Sequence, residues 1–278
     1  MTDRAAVIDL NCDLGEGFGP YTMGMDEEML ELISSANVAC GFHAGDPRVM
    51  ERTVRRAADR GVGIGAHVGF PDLVGFGRRN IDARPDEVRT DVLYQIGALY
   101  AFCRALGVEL QHVKPHGALY NMAAVDGRLA GAIVQAVASF DRELILLAPP
   151  GSELAQAAER AGLPVAWEGF ADRHYNPDST LVSRSHPEAV IHDPAVVAPR
   201  VARMVREGKV RAVDGRDIPL VVHSICFHGD NPGAVELARA VRRHLEEAGI
   251  AVRPLRDIVG RDGGREGHQV PARPGGGA

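Results

Sequence analysis

Short apolar runs alternate with amphipathic stretches along most of this chain, and this alternation limits its fold more than any other feature of the sequence. Within most of the runs, polar and apolar positions do not alternate cleanly, which is typical of strands that are buried on both faces of a parallel sheet. Seven runs are predicted strands: Val7–Cys12, Asn37–Phe42, Gly63–Val68, Leu110–Pro115, Leu144–Ala148, Val165–Trp167 and Leu220–Phe227.

Three of the stretches between these runs carry start and stop signals for a helix. Each has proline at its first position, where a missing N–H costs nothing, and glycine directly after its last turn. The predicted helices are Pro47 to Arg60 before Gly61, Pro85 to Leu106 before Gly107, and Pro232 to Ala248 before Gly249. Asp46 and Asn231 stand where the N-caps of the first and third helices belong.

The order of these elements predicts the fold class. Strand, helix and next strand in one direction are typical of right-handed βαβ units, and seven or eight units in about 250 residues favour a closed barrel. An open doubly wound sheet is the alternative, because sequence periodicity does not report closure. We therefore predict an α/β fold with a single parallel β/α barrel, TIM-like, as one domain over residues 1–259. Residues 209–220 are predicted to form a hairpin, and residues 260–278, rich in glycine and proline, a disordered tail.

Charge and composition exclude several classes of partner. Acidic residues outnumber basic ones by 37 to 31, and nucleic acid is therefore not a predicted partner, because phosphate binding needs a basic surface. No run approaches the roughly 18 apolar residues of a membrane span. The four cysteines form no C-x-x-C pair, and the N-terminal apolar stretch is too short and too charged for a signal peptide. Together these features predict a cytoplasmic protein.

Polar residues follow the apolar runs with unusual regularity. In β/α barrels the active site lies at the carboxyl ends of the strands, so these residues are predicted to meet at one rim. Each also has a structural interpretation: Asp46, for example, suits a helix cap. The residues at or beyond the strand ends are Asn11 and Asp13, His43 and Asp46, His67 and Asp72, Lys114 and His116, Glu168 and Asp172, and His228 and Asp230.

The fourth strand carries a lysine that needs a partner. His112, Lys114 and His116 are two residues apart and therefore point to the same side of that strand. If that side is the barrel interior, Lys114 loses water and requires a carboxylate such as Asp13 or Glu168. A lysine–aspartate pair in a barrel mouth can deprotonate water and stabilise an oxyanion, which is the chemistry of amide hydrolysis.

Two other uses of these residues remain open. His43, His67, His116, His228 and Asp13 offer imidazole and carboxylate ligands for a divalent metal, although their spacing matches no compact motif. Cys12 or Cys40 as a nucleophile is a weaker alternative, because both lie within apolar runs before the rim. The glycines around Glu16 lack the G-x-x-x-x-G-K-[ST] spacing, so the sequence shows no nucleotide-binding motif.

Six segments, taken together, resemble a known family. They are DLNCDLGEGFG (Asp9–Gly19), SSANVACGFHAGDP (Ser34–Pro47), GAHVGFPD (Gly65–Asp72), VKPHGALYN (Val113–Asn121), EGFADRHY (Glu168–Tyr175) and FHGDNP (Phe227–Pro232). In this order and over nearly the whole chain they resemble the LamB/YcsF family. The third segment departs from the family pattern, because valine stands at position 68 where the family has proline.

The resemblance implies a distorted barrel similar to the glycoside hydrolase/deacetylase superfamily. It also implies a component of an ATP-dependent complex, with two other subunits, B and C, that hydrolyses the lactam of 5-oxo-L-proline to L-glutamate. ATP would then be used by the complex. The alternatives are a stand-alone metal-dependent deacetylase of carbohydrate amides and a non-catalytic scaffold subunit.

The polar residues at the strand ends and the family resemblance together give two sets of candidate residues. The predicted catalytic residues are Asp13, Lys114, His116, His43, His67, Glu168 and His228. The predicted substrate-binding residues are Asn11, Asp46, Asp72, Asn121, Asp172 and Asp230.

Overall fold

The computed structural model describes residues 6–183, 186–227 and 233–259. Its strands are β1 (Val7–Leu14), β2 (Ser35–Ala39), β3 (Gly63–Val68), β4 (Leu110–Pro115), β5 (Ile145–Ala148), β6 (Val165–Phe170), β7 (Lys209–Arg211), β8 (Asp217–Pro219), β9 (Ser224–Phe227) and β10 (Ala251–Val252). Its helices are α1 (Asp26–Leu30), α2 (Pro47–Asp59), α3 (Pro85–Leu106), α4 (Gly117–Ala123), α5 (Gly127–Phe140), α6 (Glu153–Ala161), α7 (Pro194–Glu207), α8 (Ala234–Glu247) and α9 (Arg256–Val259).

Seven parallel strands close into a barrel. The order is β1-β2-β3-β4-β5-β6-β9, and β9 pairs with β1 as well as with β6, so the sheet closes on itself. β10 lies outside this ring and pairs in parallel with the start of β1. The predicted α/β barrel is confirmed, and the predicted hairpin is the antiparallel pair β7–β8.

The helix signals in the sequence hold in the structure. The side chain of Asp46 accepts hydrogen bonds from the amides of Arg48 and Val49 and caps α2, which starts at Pro47 as predicted. α3 has the predicted bounds and ends at Gly107, whose φ of 70° is the left-handed conformation that glycine adopts at little cost. Residues 228–232, where the last predicted helix begins, and residues 260–278 lie outside the described residues, so the domain boundary after Val259 stays a prediction.

Several strand bounds differ from the sequence prediction, among them those of β1, β2 and β6, which ends at Phe170 and not at Trp167. β1 continues to Leu14, because its last residue still pairs with Val38 of β2. β2 starts at Ser35 and ends at Ala39, before the predicted end at Phe42, because Gly41 turns the chain with a φ of 88°. Asp13 therefore lies within a barrel strand, whereas His43 lies on the loop that follows one.

The barrel interior is polar rather than filled with branched apolar side chains. On β1, Asp9, Asn11 and Asp13 hydrogen-bond to side chains of β2, whereas Leu10 and Cys12 join the apolar core. The apolar core therefore lies between the strands and the surrounding helices. No described helix is both long enough and apolar enough to span a bilayer.

Gly65 of β3 makes room for one of these interior side chains. A Cβ at this position would overlap the imidazole of His112. That ring cannot move freely, because its Nε2 lies 2.7 Å from Asn37 Oδ1 and its Nδ1 lies 3.1 Å from Gln111 Nε2. Glycine at position 65 is therefore a packing requirement of the barrel interior.

Gly65→Ala is expected to lower the free energy of unfolding by about 1–3 kcal/mol, the usual cost of overpacking a filled interior. Chemical denaturation of the full chain measures the effect. Gly97→Ala is the matched control: a Cβ there meets nothing within 4 Å, and the helical position favours alanine over glycine by up to about 1 kcal/mol. Equal stability of Gly65→Ala and the unchanged chain would show that His112 can be displaced at no cost.

Candidate active site

Lys114 lies between two carboxylates at the floor of the barrel mouth. Its Nζ lies 2.9 Å from Asp13 Oδ1 of β1 and 2.9 Å from Glu168 Oε1 of β6. The lysine side chain is only 4% exposed and that of Glu168 is fully buried, whereas Asp13 is 13% exposed. Both partners that the sequence predicted for this lysine are therefore present, and Asp13 is the one that solvent reaches.

Hydrogen bonds from neighbouring strands and α4 fix the two carboxylates. Asn11 Nδ2 donates to Glu168 Oε1 at 3.0 Å, and the Tyr120 hydroxyl donates to Glu168 Oε2 at 2.8 Å. Asn37 Nδ2 donates to Asp13 Oδ1 at 2.9 Å. Both oxygens of Glu168 are thus occupied by protein donors.

The charges of this group stabilise one another. Burial opposes ionisation of Asp13, but His67 and Lys114 outweigh it and hold the pKa of the carboxyl well below its usual range. Burial alone would lower the pKa of Lys114, yet Asp13 and Glu168 hold it well above its usual value. An ionised aspartate and a protonated lysine therefore face the barrel mouth at neutral pH.

A second group, which we call the histidine cluster, adjoins Asp13 and consists of Glu16, His43, His67 and His116. All four are buried, and one nitrogen or oxygen of each lies within 4.8 Å of the others. His67 Nε2 also lies 3.2 Å from Asp13 Oδ2. Asp13 thus connects Lys114 to the histidine cluster: one carboxylate oxygen contacts Lys114 and the other contacts His67.

Both groups open into one pocket of about 560 Å³. A larger hollow of about 910 Å³ lies beside the starts of β4 and β5, and its charged lining consists of arginines and carboxylates such as Arg256 and Glu109, which pair with each other. The candidate catalytic residues line the smaller pocket. Its lining includes Asp13, His67, Arg78, Lys114, His116, Tyr120, Asn121, Glu168, Phe170 and Arg173.

The structure does not bring all predicted rim residues into this pocket. Asp46 caps α2 and also accepts a hydrogen bond from the amide of Gly19. Asp72 is buried, accepts from the amide of Gly75 and pairs with Arg79. The contacts of both carboxylates are those of loop-stabilising residues.

The remaining predicted residues lie in the barrel interior, at the pocket or outside the described residues. Asn11 lies below Lys114 in the barrel interior, and its Oδ1 accepts a hydrogen bond from Lys114 Nζ at 3.2 Å. Asn121 is exposed on α4 and lines the pocket, and Asp172 is buried just beyond β6. His228 and Asp230 lie outside the described residues.

Several polar residues of the site were not among the sequence candidates, and Glu16 and Tyr120 are the two that contact its histidines and carboxylates most directly. Glu16 stands between glycines in the loop after β1, in a segment that contributed to the family resemblance but lacked the spacing of a phosphate loop. Tyr120 lies on α4, four residues beyond His116, so one helical turn brings it back over the strand ends. Sequence signals for both residues existed. Tyr120 lies in the segment Val113–Asn121, and Glu16 lies in the loop that directly follows β1.

The two cysteines that precede the rim do not offer a nucleophile. Cys12 and Cys40 are buried and free. Burial raises the pKa of both thiols, which disfavours the reactive thiolate.

Deeper in the barrel, the buried carboxyl group of Asp9 makes the stability of the fold depend on pH. Asp9 is fully buried and accepts hydrogen bonds from Ser34 at 2.7 Å, from Ser35 at 2.6 Å and from Ser224. Burial outweighs these hydrogen bonds and raises the pKa of Asp9 to about 6 from its ordinary 3.8. The folded chain therefore binds this proton more tightly than the unfolded chain, and stability falls as pH rises through this window.

Asp9→Asn removes this titration without changing side-chain size. We expect the free energy of unfolding of the variant to rise relative to the unchanged chain by up to about 3 kcal/mol between pH 4 and pH 7, since each pKa unit corresponds to about 1.4 kcal/mol. Urea denaturation of both proteins at several pH values measures the difference. A difference that stays constant over this range would contradict the raised pKa.

Fold and site together define a class. A closed parallel β/α barrel that gathers a buried lysine, carboxylates and histidines in a pocket at the carboxyl ends of its strands is an enzyme-type barrel. The chain belongs to the LamB/YcsF family, whose model matches residues 8–260.

Three relatives show how far the similarity extends. The chain is 58% identical over 245 residues to the 5-oxoprolinase A subunit of Symbiobacterium thermophilum, covering 88% of this chain and 94% of that protein. It is 55% identical over 253 residues to the 5-oxoprolinase A subunit of Pyrococcus abyssi, covering 91% and 99%. The crystal structure of the lactam utilization protein from Thermus thermophilus superimposes with a TM-score of 0.86 at 50% identity, covering 89% of this chain and 99% of that one.

Proposed function

We propose that this chain is the component of an ATP-dependent 5-oxoprolinase complex that opens the lactam of 5-oxo-L-proline to give L-glutamate. The observation that carries the proposal is the group formed by Lys114, Asp13 and Glu168 in a pocket where Asp13 is within reach of water. Support comes from relatives at 53–58% identity that are named as the A subunit of 5-oxoprolinase.

Hydrolysis of a lactam makes three demands on the site. A water must lose a proton as its oxygen bonds to the carbonyl carbon, negative charge on the carbonyl oxygen must be stabilised, and the ring nitrogen must gain a proton as the C–N bond breaks. One water is consumed, and the product carries a new carboxylate and a free amine.

Asp13 is the carboxylate that orients the water, accepts its proton and then passes that proton to the ring nitrogen as the C–N bond breaks. It is ionised at neutral pH and partly exposed to the pocket, whereas Glu168 is fully buried with both oxygens occupied by Asn11, Tyr120 and Lys114. Glu168 therefore acts as a positioning residue that holds Lys114. The ammonium group of Lys114 supplies positive charge next to the reacting carbonyl.

ATP and the partner subunits complete the reaction. A five-membered lactam is a stable amide, so coupling its opening to ATP hydrolysis supplies driving force. The sequence contains no G-x-x-x-x-G-K-[ST] loop, which supports a division of labour in which subunits B and C handle ATP. Four free buried cysteines support a cytoplasmic setting. A divalent metal is the candidate cofactor of this chain itself, and the histidine cluster would hold it.

The experiment that tests the function is an omission assay. The purified chain is mixed with its partner subunits, ATP and 5-oxo-L-proline, and glutamate is measured with and without this chain. Glutamate formation that needs this chain is expected; equal formation in its absence would refute the proposal.

The two alternatives predict other results. A deacetylase of carbohydrate amides would release acetate from acetylated sugars without partners or ATP, and the names of the close relatives do not favour it. A scaffold protein would support full turnover after loss of Asp13, provided that the complex still assembles.

A further inference from the structure

The histidine cluster contains two ring nitrogens whose lone pairs face each other unless a metal ion or an additional proton lies between them. His67 Nδ1 lies 3.0 Å from the carbonyl oxygen of Lys114, and His116 Nε2 lies 2.8 Å from the carbonyl oxygen of Phe76. A carbonyl oxygen only accepts, so each of these nitrogens carries the hydrogen. In neutral rings this leaves His67 Nε2 and His116 Nδ1, 2.9 Å apart, with lone pairs that face each other.

Glu16 adds a negative oxygen to the same spot. Its Oε1 lies 3.6 Å from His116 Nδ1 and 4.0 Å from His67 Nε2. Ligand atoms about 2.0–2.1 Å from a tetrahedral zinc ion lie roughly 3.3 Å from one another, and the three separations in the cluster bracket that value. Two imidazole nitrogens and a carboxylate oxygen at these distances form a donor set for a divalent first-row metal.

His43 has a different place in this arrangement. Its ring is stacked on that of His116, with centroids 3.8 Å apart and planes 5° from parallel. An imidazole lone pair lies in the ring plane, so one ion cannot lie in the planes of both rings. His43 Nε2 lies 3.3 Å from Glu16 Oε1, and its Nδ1 has no hydrogen-bond partner among the described residues. Hydrogen on Nε2 lets His43 donate to Glu16 and orient it.

From these contacts we infer that the chain binds one divalent metal ion, of the zinc type, through His67 Nε2, His116 Nδ1 and Glu16, with His43 as the residue that positions Glu16. Three protein ligands leave a coordination position open, which distinguishes catalytic from closed structural sites. The backbone carbonyls of Lys114 and Phe76 fix the ring tautomers, the usual support of metal-binding histidines. Asp13, 3.2 Å from His67 Nε2, lies beside the ion without being needed as a ligand.

The proposal is independent of lactam hydrolysis, so it is tested on the full chain without partners, ATP or substrate. After treatment with a chelator, the chain is titrated with Zn²⁺ by calorimetry and with Co²⁺ by visible absorption. We expect saturable binding of one ion per chain and the intense Co²⁺ bands of a four-coordinate site. Absence of one-to-one binding would overturn the proposal and point to a shared proton, while leaving the proposed lactam hydrolysis standing.

Four variants test the ligand assignment. His116→Asn and Glu16→Gln each remove a ligand and are expected to weaken Zn²⁺ binding by more than about a hundredfold. His43→Asn keeps all three ligands, so its Zn²⁺ affinity should fall by no more than the roughly 10–100-fold typical of losing a residue that positions a ligand. Glu168→Gln, a carboxylate of the same pocket outside the cluster, is the matched control and should bind Zn²⁺ normally.

The outcomes separate clearly. Unchanged affinity in His116→Asn would overturn the site, and equal losses in His43→Asn and His116→Asn would overturn the ligand set. Circular dichroism confirms that each variant folds, and the Co²⁺ spectrum of the unchanged chain reports four-coordination even if a variant does not.

Discussion

Asp13→Asn is expected to lower glutamate formation by the assembled complex at least about a hundredfold, because loss of a general base typically costs about 10²–10⁴ in rate. The variant keeps the shape of the side chain and removes the charge that would take the proton from water. Lys114→Met is expected to lose a similar factor through loss of positive charge beside the lactam carbonyl. Turnover of each variant complex, measured at saturating ATP, gives the effect.

The two variants differ in stability, and that difference separates catalysis from structure. In Asp13→Asn, Lys114 keeps its contact with Glu168 at 2.9 Å, so no buried charge is stranded. In Lys114→Met, both carboxylates lose their counter-charge, and breaking a buried pair in this way costs about 3–5 kcal/mol. Asp13→Asn does lose the stabilisation that its lowered pKa implies. We therefore expect it to melt modestly below the unchanged chain, and Lys114→Met to melt lower still.

Asp126→Asn is the matched control for the aspartate. Asp126 caps α5 through the amide of Arg128, and asparagine caps a helix about as well as aspartate. Its turnover and melting temperature should both stay near those of the unchanged chain. Near-normal turnover in a well-folded Asp13→Asn complex would remove Asp13 from the mechanism, and low turnover that follows a low melting temperature would make the ion pair structural.

Strand periodicity accounts for what the sequence revealed about the site. Asp9, Asn11 and Asp13 alternate with apolar residues on β1, and this period of two places all three inside the barrel. The same rule places Lys114 opposite them, and burial then requires its carboxylate partners. Barrel topology gathers the strand ends, so the meeting of Asp13, Lys114 and Glu168 followed from local patterns and one fold prediction.

Loop geometry accounts for what the sequence did not reveal. Glu16, Asp46 and Asp72 all follow barrel strands, yet only Glu16 of these three joins the histidine cluster. Asp46 satisfies the free amides at the start of α2, and Asp72 pairs with Arg79, which stands seven residues later in the same loop. No period governs a loop, so the direction of these side chains depends on backbone turns such as the one at Gly15, which has a positive φ. Such turns are set by tertiary contacts that a single sequence does not display.

The purified chain alone is expected to form no glutamate from 5-oxo-L-proline, with or without ATP. The sequence contains no phosphate-binding loop of the G-x-x-x-x-G-K-[ST] type, and the relatives are named as one component of an enzyme. If ATP is used by subunits B and C, this chain has lactam chemistry but no driving force on its own. The measurement compares glutamate release by the chain alone, by the partners alone and by the mixture, each at equal protein concentration. Zn²⁺ is added to one set, so that an inactive chain cannot be explained by loss of the proposed metal. ATP-dependent glutamate release by the chain alone, at a rate near that of the mixture, would show that this polypeptide contains its own ATP site and that the division of labour is wrong.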